Sequence, residues 1–148
     1  MRRVTTHFTN SITIDRPPGD VFAFVADLEN VPEWNYAIVE TRKVSDGPVS
    51  VGTAYRQVRS LPERSEETLQ VAEMLPDRRF VVQGQIGPFV GSLAYDVEDI
   101  GGRTRLTNTV DLEGRVLMKL AGQVTSARVR DAVSANLSTL KQLLESRS

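Results

Sequence analysis

Alternation of apolar and polar residues marks most of this chain as strand. Between Thr104 and Glu113, Leu106, Val110 and Leu112 share one face, and Arg105, Thr107, Thr109, Asp111 and Glu113 share the other. The first segment, Val4 to Ile14, alternates similarly, with Phe8, Ile12 and Ile14 on one side and His7, Thr9, Ser11 and Thr13 opposite. Segments near 38–45, 51–59, 66–74, 79–86 and 89–99 bring the total to about seven strands. Turn signals at Gly47-Pro48, Leu61-Pro62-Glu63, Leu75-Pro76-Asp77, Gly87-Pro88 and Gly101-Gly102 recur about every 11–15 residues, as consecutive antiparallel hairpins require.

Helical spacing appears in three places. Asp15-Arg16-Pro17-Pro18 sets prolines at a helix start, where the missing N–H costs nothing, and Val21, Phe22, Val25 and Leu28 follow at helical intervals. Asn30 with Glu33 fits a capping box opening a second short helix that carries Trp34. From about Gln123 to Ser146 there is no proline or glycine, and a helix there spans roughly 36 Å. Val129, Ala132, Val133, Leu137, Leu140, Leu143 and Leu144 form one broad stripe on it. Leu117, Leu120 and Val124 fall on another side, so Gly122 reads as a break before the main helix. The order is strand, two short helices, six strands and a long helix. A long amphipathic helix after a curved antiparallel sheet packs most economically into its concave face, closing a cavity.

Composition narrows the chemistry. The chain has 148 residues and reads as a single domain over 1–148, large enough to need no disulfide or metal staple. It has no cysteine and one histidine, which excludes a disulfide framework, a zinc-thiolate site, a cysteine nucleophile and a His-rich metal centre. Eighteen basic against nineteen acidic residues leave no basic field for nucleic acid or an anionic membrane. The longest apolar run, Val21 to Ala26, has six residues, so no membrane insertion is expected. The polar Thr5-Thr6-His7 follows Met1-Arg2-Arg3 where a signal peptide needs an apolar core, which makes the cytoplasm the expected location. A monomer or homodimer fits the composition equally.

No nucleophile elbow, phosphate loop, HExxH or dinucleotide fingerprint is present, so no cofactor or metal is expected. The informative residues are polar ones that interrupt inward apolar rows. Asn108 lies in the row of Leu106, Val110 and Leu112; Asn10 lies in that of Phe8, Ile12 and Ile14; Asn136 lies within the helical stripe. A buried amide either bonds to backbone, another amide or trapped water, or orients the polar end of a ligand. Tyr95 alternates with Leu93 and Val97, and Tyr55 with Thr53 and Gln57, as core packing or as donors to a ligand. Asn108, Asn136 and Tyr95 are expected to form the polar end of a pocket, with Asn10 and Tyr55 as further polar candidates. Phe8, Phe24, Phe80, Leu106 and Trp34 are expected to supply apolar wall, with Tyr36 near the rim. His7 falls on the outer face, which removes the one side chain titrating near neutrality from the interior. The clusters Glu66-Glu67, Arg78-Arg79 and Asp96-Glu98-Asp99 read as solvated, while Arg42, Glu40 and Arg59 are the charges best able to reach the pocket.

The stretch Ile12-Thr13-Ile14-Asp15-Arg16-Pro17-Pro18-Gly19-Asp20-Val21-Phe22, continuing through Val25-Ala26-Asp27-Leu28-Glu29-Asn30 into Pro32-Glu33-Trp34, resembles the START-like (SRPBCC) superfamily, in particular its polyketide cyclase/dehydrase branch. Val49 to Thr53 and Met74 to Phe80 look like later positions of the same family, so the resemblance covers nearly the whole chain. It implies an α+β helix-grip fold and a cavity for hydrophobic small molecules, in a group that includes lipid carriers, hormone receptors and cyclases. Two functions follow. The first is binding of a lipid-, isoprenoid- or polyketide-like molecule in an internal cavity, with no catalysis assigned. The second is cofactor-free cyclisation or dehydration of a poly-β-keto precursor, with Tyr95, Tyr55, Asn108 and Arg42 as the candidate acid–base and carbonyl-polarising groups. A protein-interaction role has no supporting sequence feature.

Overall fold

Strand β1 (Arg2–Ile14) leads into helix α1 (Pro18–Val25), a 3-10 turn (Leu28–Asn30) and helix α2 (Val31–Trp34). Six strands follow: β2 (Ile38–Lys43), β3 (Ala54–Arg59), β4 (Ser65–Leu75), β5 (Arg79–Ile86), β6 (Phe89–Asp99) and β7 (Thr104–Val116). Helix α3 (Ser126–Glu145) closes the chain. This computed structural model describes residues 2–116 and 126–147. The expected side-switch of Leu117, Leu120 and Val124 and the break at Gly122 lie outside the described residues. All seven strands form one antiparallel sheet in the order β1-β7-β6-β5-β4-β3-β2, so consecutive hairpins account for every neighbour except β1, which returns to pair with β7.

The β1–β7 ladder runs unbroken from Arg2 opposite Val116 to Ile14 opposite Thr104. Its constant register keeps Phe8 beside Val110 and Ile12 beside Leu106 on the inner face. Register shifts do occur in β2, between Ile38 and Glu40, and in β4, between Val71 and Glu73. Curvature comes from close backbone approach at paired glycines. Gly84 faces Gly91 across β5 and β6, and a Cβ there would lie 2.2 Å from the Thr68 carbonyl oxygen or 1.9 Å from that of Asp111. Only glycine lets the strands coil this tightly.

Prolines open α1 as expected, with Pro17 at the cap and Pro18 in the first turn. The expected capping box at Asn30 does not form. Asn30 already has helical φ and ψ because the 3-10 turn runs directly into α2, and its Nδ2 donates to the Phe24 carbonyl at 3.2 Å. Asp27 supplies the cap instead, accepting from the Glu29 amide at 3.2 Å.

The stripe on α3 buries Leu137, Leu140 and Leu144 in the main core with Ile14, Leu106 and the apolar face of α1. Phe22 of α1 meets Phe80 edge-on at 6.5 Å between ring centres. A second cluster (Phe8, Phe89, Val110 and Leu112) packs beneath Val129 and Val133 of the first half of α3. The far end of α3 is tied to the β1–α1 turn. Arg16 donates to the carbonyls of Leu144 at 2.8 Å and Arg147 at 2.7 Å, and Lys141 donates to that of Thr13 at 2.6 Å. Among the described residues, no helix is long and apolar enough to cross a membrane.

Candidate functional site

The C-terminal half of α3 packs into the main core through Leu140 and Leu144, and its N-terminal half borders open space. Beneath that half lies a cavity of about 510 Å³ bounded by α2, β3 and the inner faces of β4 to β7. Its wall is mainly apolar, from residues such as Leu28, Val31, Leu69, Val82, Leu93 and Val133. Exposed Tyr36, Leu61, Pro62, Arg128 and Asp131 mark its mouth, between the end of α2, the β3–β4 turn and α3. A larger concavity, about 1010 Å³, lies outside the glycine bend and is lined by groups such as Gln70, Gln83 and Ser92. It is an open groove at the bend, with Thr5, Asp111 and Glu113 also along it.

Four of the ten sequence candidates line the cavity: Tyr95, Asn108, Asn136 and Trp34. Asn108 is 1% exposed, and its Nδ2 donates to the Ala94 carbonyl at 3.1 Å. That bond uses half of the amide and leaves Oδ1 for other partners. Tyr95 and Asn136 are each 7% exposed, and neither side chain hydrogen-bonds to another described residue. Their polar atoms are also not sealed within protein, unlike Trp34 Nε1, which is buried without a partner. Burial raises the Tyr95 phenol above its ordinary value, so it stays protonated and able to donate. Trp34 packs edge-on against Tyr95 with ring centres 6.2 Å apart, fixing the phenol's direction.

The other six candidates lie elsewhere, because facing inward is not the same as facing the cavity. Phe80 and Leu106 are covered by α1 and the C-terminal half of α3, and Phe24, on α1 itself, is buried in the same core. Arg147 lies over the Phe24 ring at 4.7 Å. Phe8 belongs to the second cluster, with the Arg130 guanidinium 5.3 Å above its ring. Asn10 is half-buried at the flank of α3, its Nδ2 3.5 Å from the Arg130 carbonyl. Tyr55 is fully buried near the 3-10 turn, where burial first, then the charges of Asp27 and Glu29, push its phenol up to about 12. His7 is on the outer face, as expected, paired with Asp111.

The charged residues need correction. Glu40 and Arg42 point outward and pair with each other, so Arg42 does not reach the cavity. Arg59 does line it. Glu67, expected to be solvated, has a fully buried side chain and accepts from four donors: Gln57 Nε2, Arg59 Nε and Ser65 Oγ at 2.8 Å, and the Gly87 amide at 2.7 Å. Burial alone would raise its carboxyl, but the hydrogen bond and charge of Arg59, with Gln57 and Ser65, hold it below its ordinary value. A signal for this cluster existed, since Glu67 shares parity with Leu69 and Val71 on β4, and Gln57 and Arg59 with Tyr55 on β3. Gln57, Arg59 and Glu67 therefore form a fixed polar corner of the cavity wall where β3, β4 and the β5–β6 turn meet.

Asn108→Leu is expected to cost about 1–3 kcal/mol in urea unfolding, because it removes a buried hydrogen bond that the apolar replacement does not restore. An unchanged midpoint would show that the Asn108–Ala94 bond contributes nothing net.

By sequence, none of the curated proteins matches this chain. Solved structures match in fold. The crystal structure of the Zhui aromatase/cyclase from Streptomyces sp. R1128 has a TM-score of 0.76 at 16% identity, covering 96% of this chain and 94% of that one. TTHA0849 from Thermus thermophilus has 0.73 at 16% identity, covering 95% and 97%. Ara h 8.0201 has 0.69 at 15% identity, covering 97% and 100%. At these identities the likeness establishes the helix-grip fold. The family model described as polyketide cyclase/dehydrase and lipid transport matches residues 5–145, and the chain belongs to that family.

Proposed function

We propose that this protein binds an apolar small molecule with one polar end, held under the N-terminal half of α3, without itself catalysing a reaction. The observation that carries this is the cavity of about 510 Å³, which is within the ~300–1,000 Å³ of small-molecule sites and joins an apolar wall to a few buried polar groups. Lipid, isoprenoid and polyketide scaffolds all suit such a space. Native mass spectrometry after gentle purification, with a panel of fatty acids, isoprenoids and aromatic polyketides, tests it. A bound mass is expected on the wild type and should vanish from Ala132→Trp, which fills the cavity from α3. Equal retention by both proteins would refute binding in this cavity.

A cyclase or dehydratase reading draws on one observation: Arg59, Tyr95 and Asn108 line the same space, so donors able to polarise a carbonyl are present. The general base is the weak point. Of the nearby carboxylates, Glu67 is saturated by donors and Asp131 is exposed at the mouth. Turnover of a poly-β-keto substrate that is lost in Tyr95→Phe would favour catalysis over carriage.

A further inference from the structure

Resting on the binding reading above, we infer that the cavity selects molecules with a neutral, hydrogen-bonding head group, such as an aryl ketone, and rejects carboxylates. Charge balance is the reason. Of the two cations among the described lining residues, Arg59 is the less exposed, its side chain only 11% accessible. Directly behind it, 2.8 Å away, Glu67 is completely buried and cancels its charge. At the mouth Arg128 and Asp131 carry opposite signs. The buried polar side chains among the lining residues, Gln57, Tyr95, Asn108 and Asn136, are neutral.

A carboxylate entering this space gives up its hydration and gains no uncompensated cation in return. Its charge also meets that of Glu67 across the same guanidinium. Unpaired burial of an ion is the costliest form of desolvation. A carbonyl or phenol has much less hydration to lose, and the Tyr95 hydroxyl and Asn136 amide offer it hydrogen bonds that no described residue occupies. The buried pair thus serves as a charge filter. Glu67 positions Arg59 and at the same time removes its attraction for anions.

The test uses the full chain at neutral pH and two fluorescent probes of nearly equal shape. One is prodan, a neutral aryl ketone; the other is its naphthoate analogue, with a carboxylate replacing the propionyl group. Prodan is expected to bind at least about tenfold more tightly. Glu67→Gln, which leaves Arg59 uncompensated, should shift the ratio of affinities about tenfold or more toward the carboxylate. Should that variant fail to fold, Arg59→Gln/Glu67→Gln removes both charges together and should keep the prodan preference within about threefold. Equal or tighter binding of the carboxylate by the wild type overturns the charge filter and leaves cavity binding standing. Loss of the preference in the double variant also overturns it, by assigning selectivity to the Arg59 N–H groups. Failure of both probes to bind the wild type overturns the binding reading, and the filter with it.

Discussion

A chain ending at Ala127 is expected to lose cooperative unfolding altogether. Such a truncation removes Leu137, Leu140 and Leu144, exposed by 2%, 0% and 2% in the native protein. At about 1.5–3 kcal/mol for each fully buried side chain, these three contribute roughly 5–9 kcal/mol, as much as the net stability of a typical domain. The same cut removes one of the layers packed over Ile14, Leu106 and Val110, which are 0% exposed in the native protein. It also removes two of the acceptors of Arg16, the Leu144 carbonyl in α3 and the Arg147 carbonyl beyond it, leaving the pair with Asp20. Circular dichroism against temperature is the measurement. A truncated chain with a sharp transition near the full-length midpoint would falsify the packing described here. The milder Leu140→Ala should keep the transition and lower stability by about 2–5 kcal/mol, since it leaves a cavity in the core under the C-terminal half of the helix.

Glu67→Ala is expected to be the most damaging single change at the site, costing about 3–5 kcal/mol. It leaves the Arg59 guanidinium buried without its counter-ion, and it removes the acceptor of Gln57, Ser65 and the Gly87 amide. Three chain segments meet at this carboxylate, so its loss should also loosen the β3–β4 and β5–β6 turns, visible as faster amide exchange there. Acid should reproduce part of the effect. The Glu67 carboxyl is held below its ordinary value in the folded state, so its stabilisation is complete above the unfolded value. It is lost as pH falls through the depressed value. Urea midpoints measured from neutral to strongly acidic pH should therefore drop less for Glu67→Gln than for the wild type. Parallel losses in both proteins would assign acid sensitivity to other carboxylates.

Much of the fold was legible because period and punctuation agreed along the chain. Strands β5, β6 and β7 follow from alternation between Gly or Pro turns, and α3 follows from its stripe and its freedom from helix breakers. The inward row on β7 was readable because its registers with β1 and β6 are unbroken, so parity assigned at Leu106 still holds at Asn108 and Val110. Where a strand is bulged, as β2 is between Ile38 and Glu40, alternation was ambiguous, and Glu40 and Arg42, named as charges able to reach the pocket, lie outside it. Glu67 was misjudged for another reason. Composition places a carboxylate outside by default, and its own parity with Leu69 and Val71 was the better guide.

By itself, then, the sequence determined which residues face inward, where the chain turns, and that a helix must cover the sheet. These are local properties, set by backbone period, turn chemistry and the need to bury an apolar face. Which inward residues meet empty space was decided only by tertiary structure. Helix α3 packs into the main core at Leu140 and Leu144 and borders the cavity between Arg128 and Leu137, so Phe80 and Leu106 became core while Tyr95 and Asn136 became cavity wall. Alternation encodes the side of the sheet on which a residue lies. The distance from that side to the next layer depends on side chains from α1, α2 and α3 packing together, and no single segment of the sequence carries it.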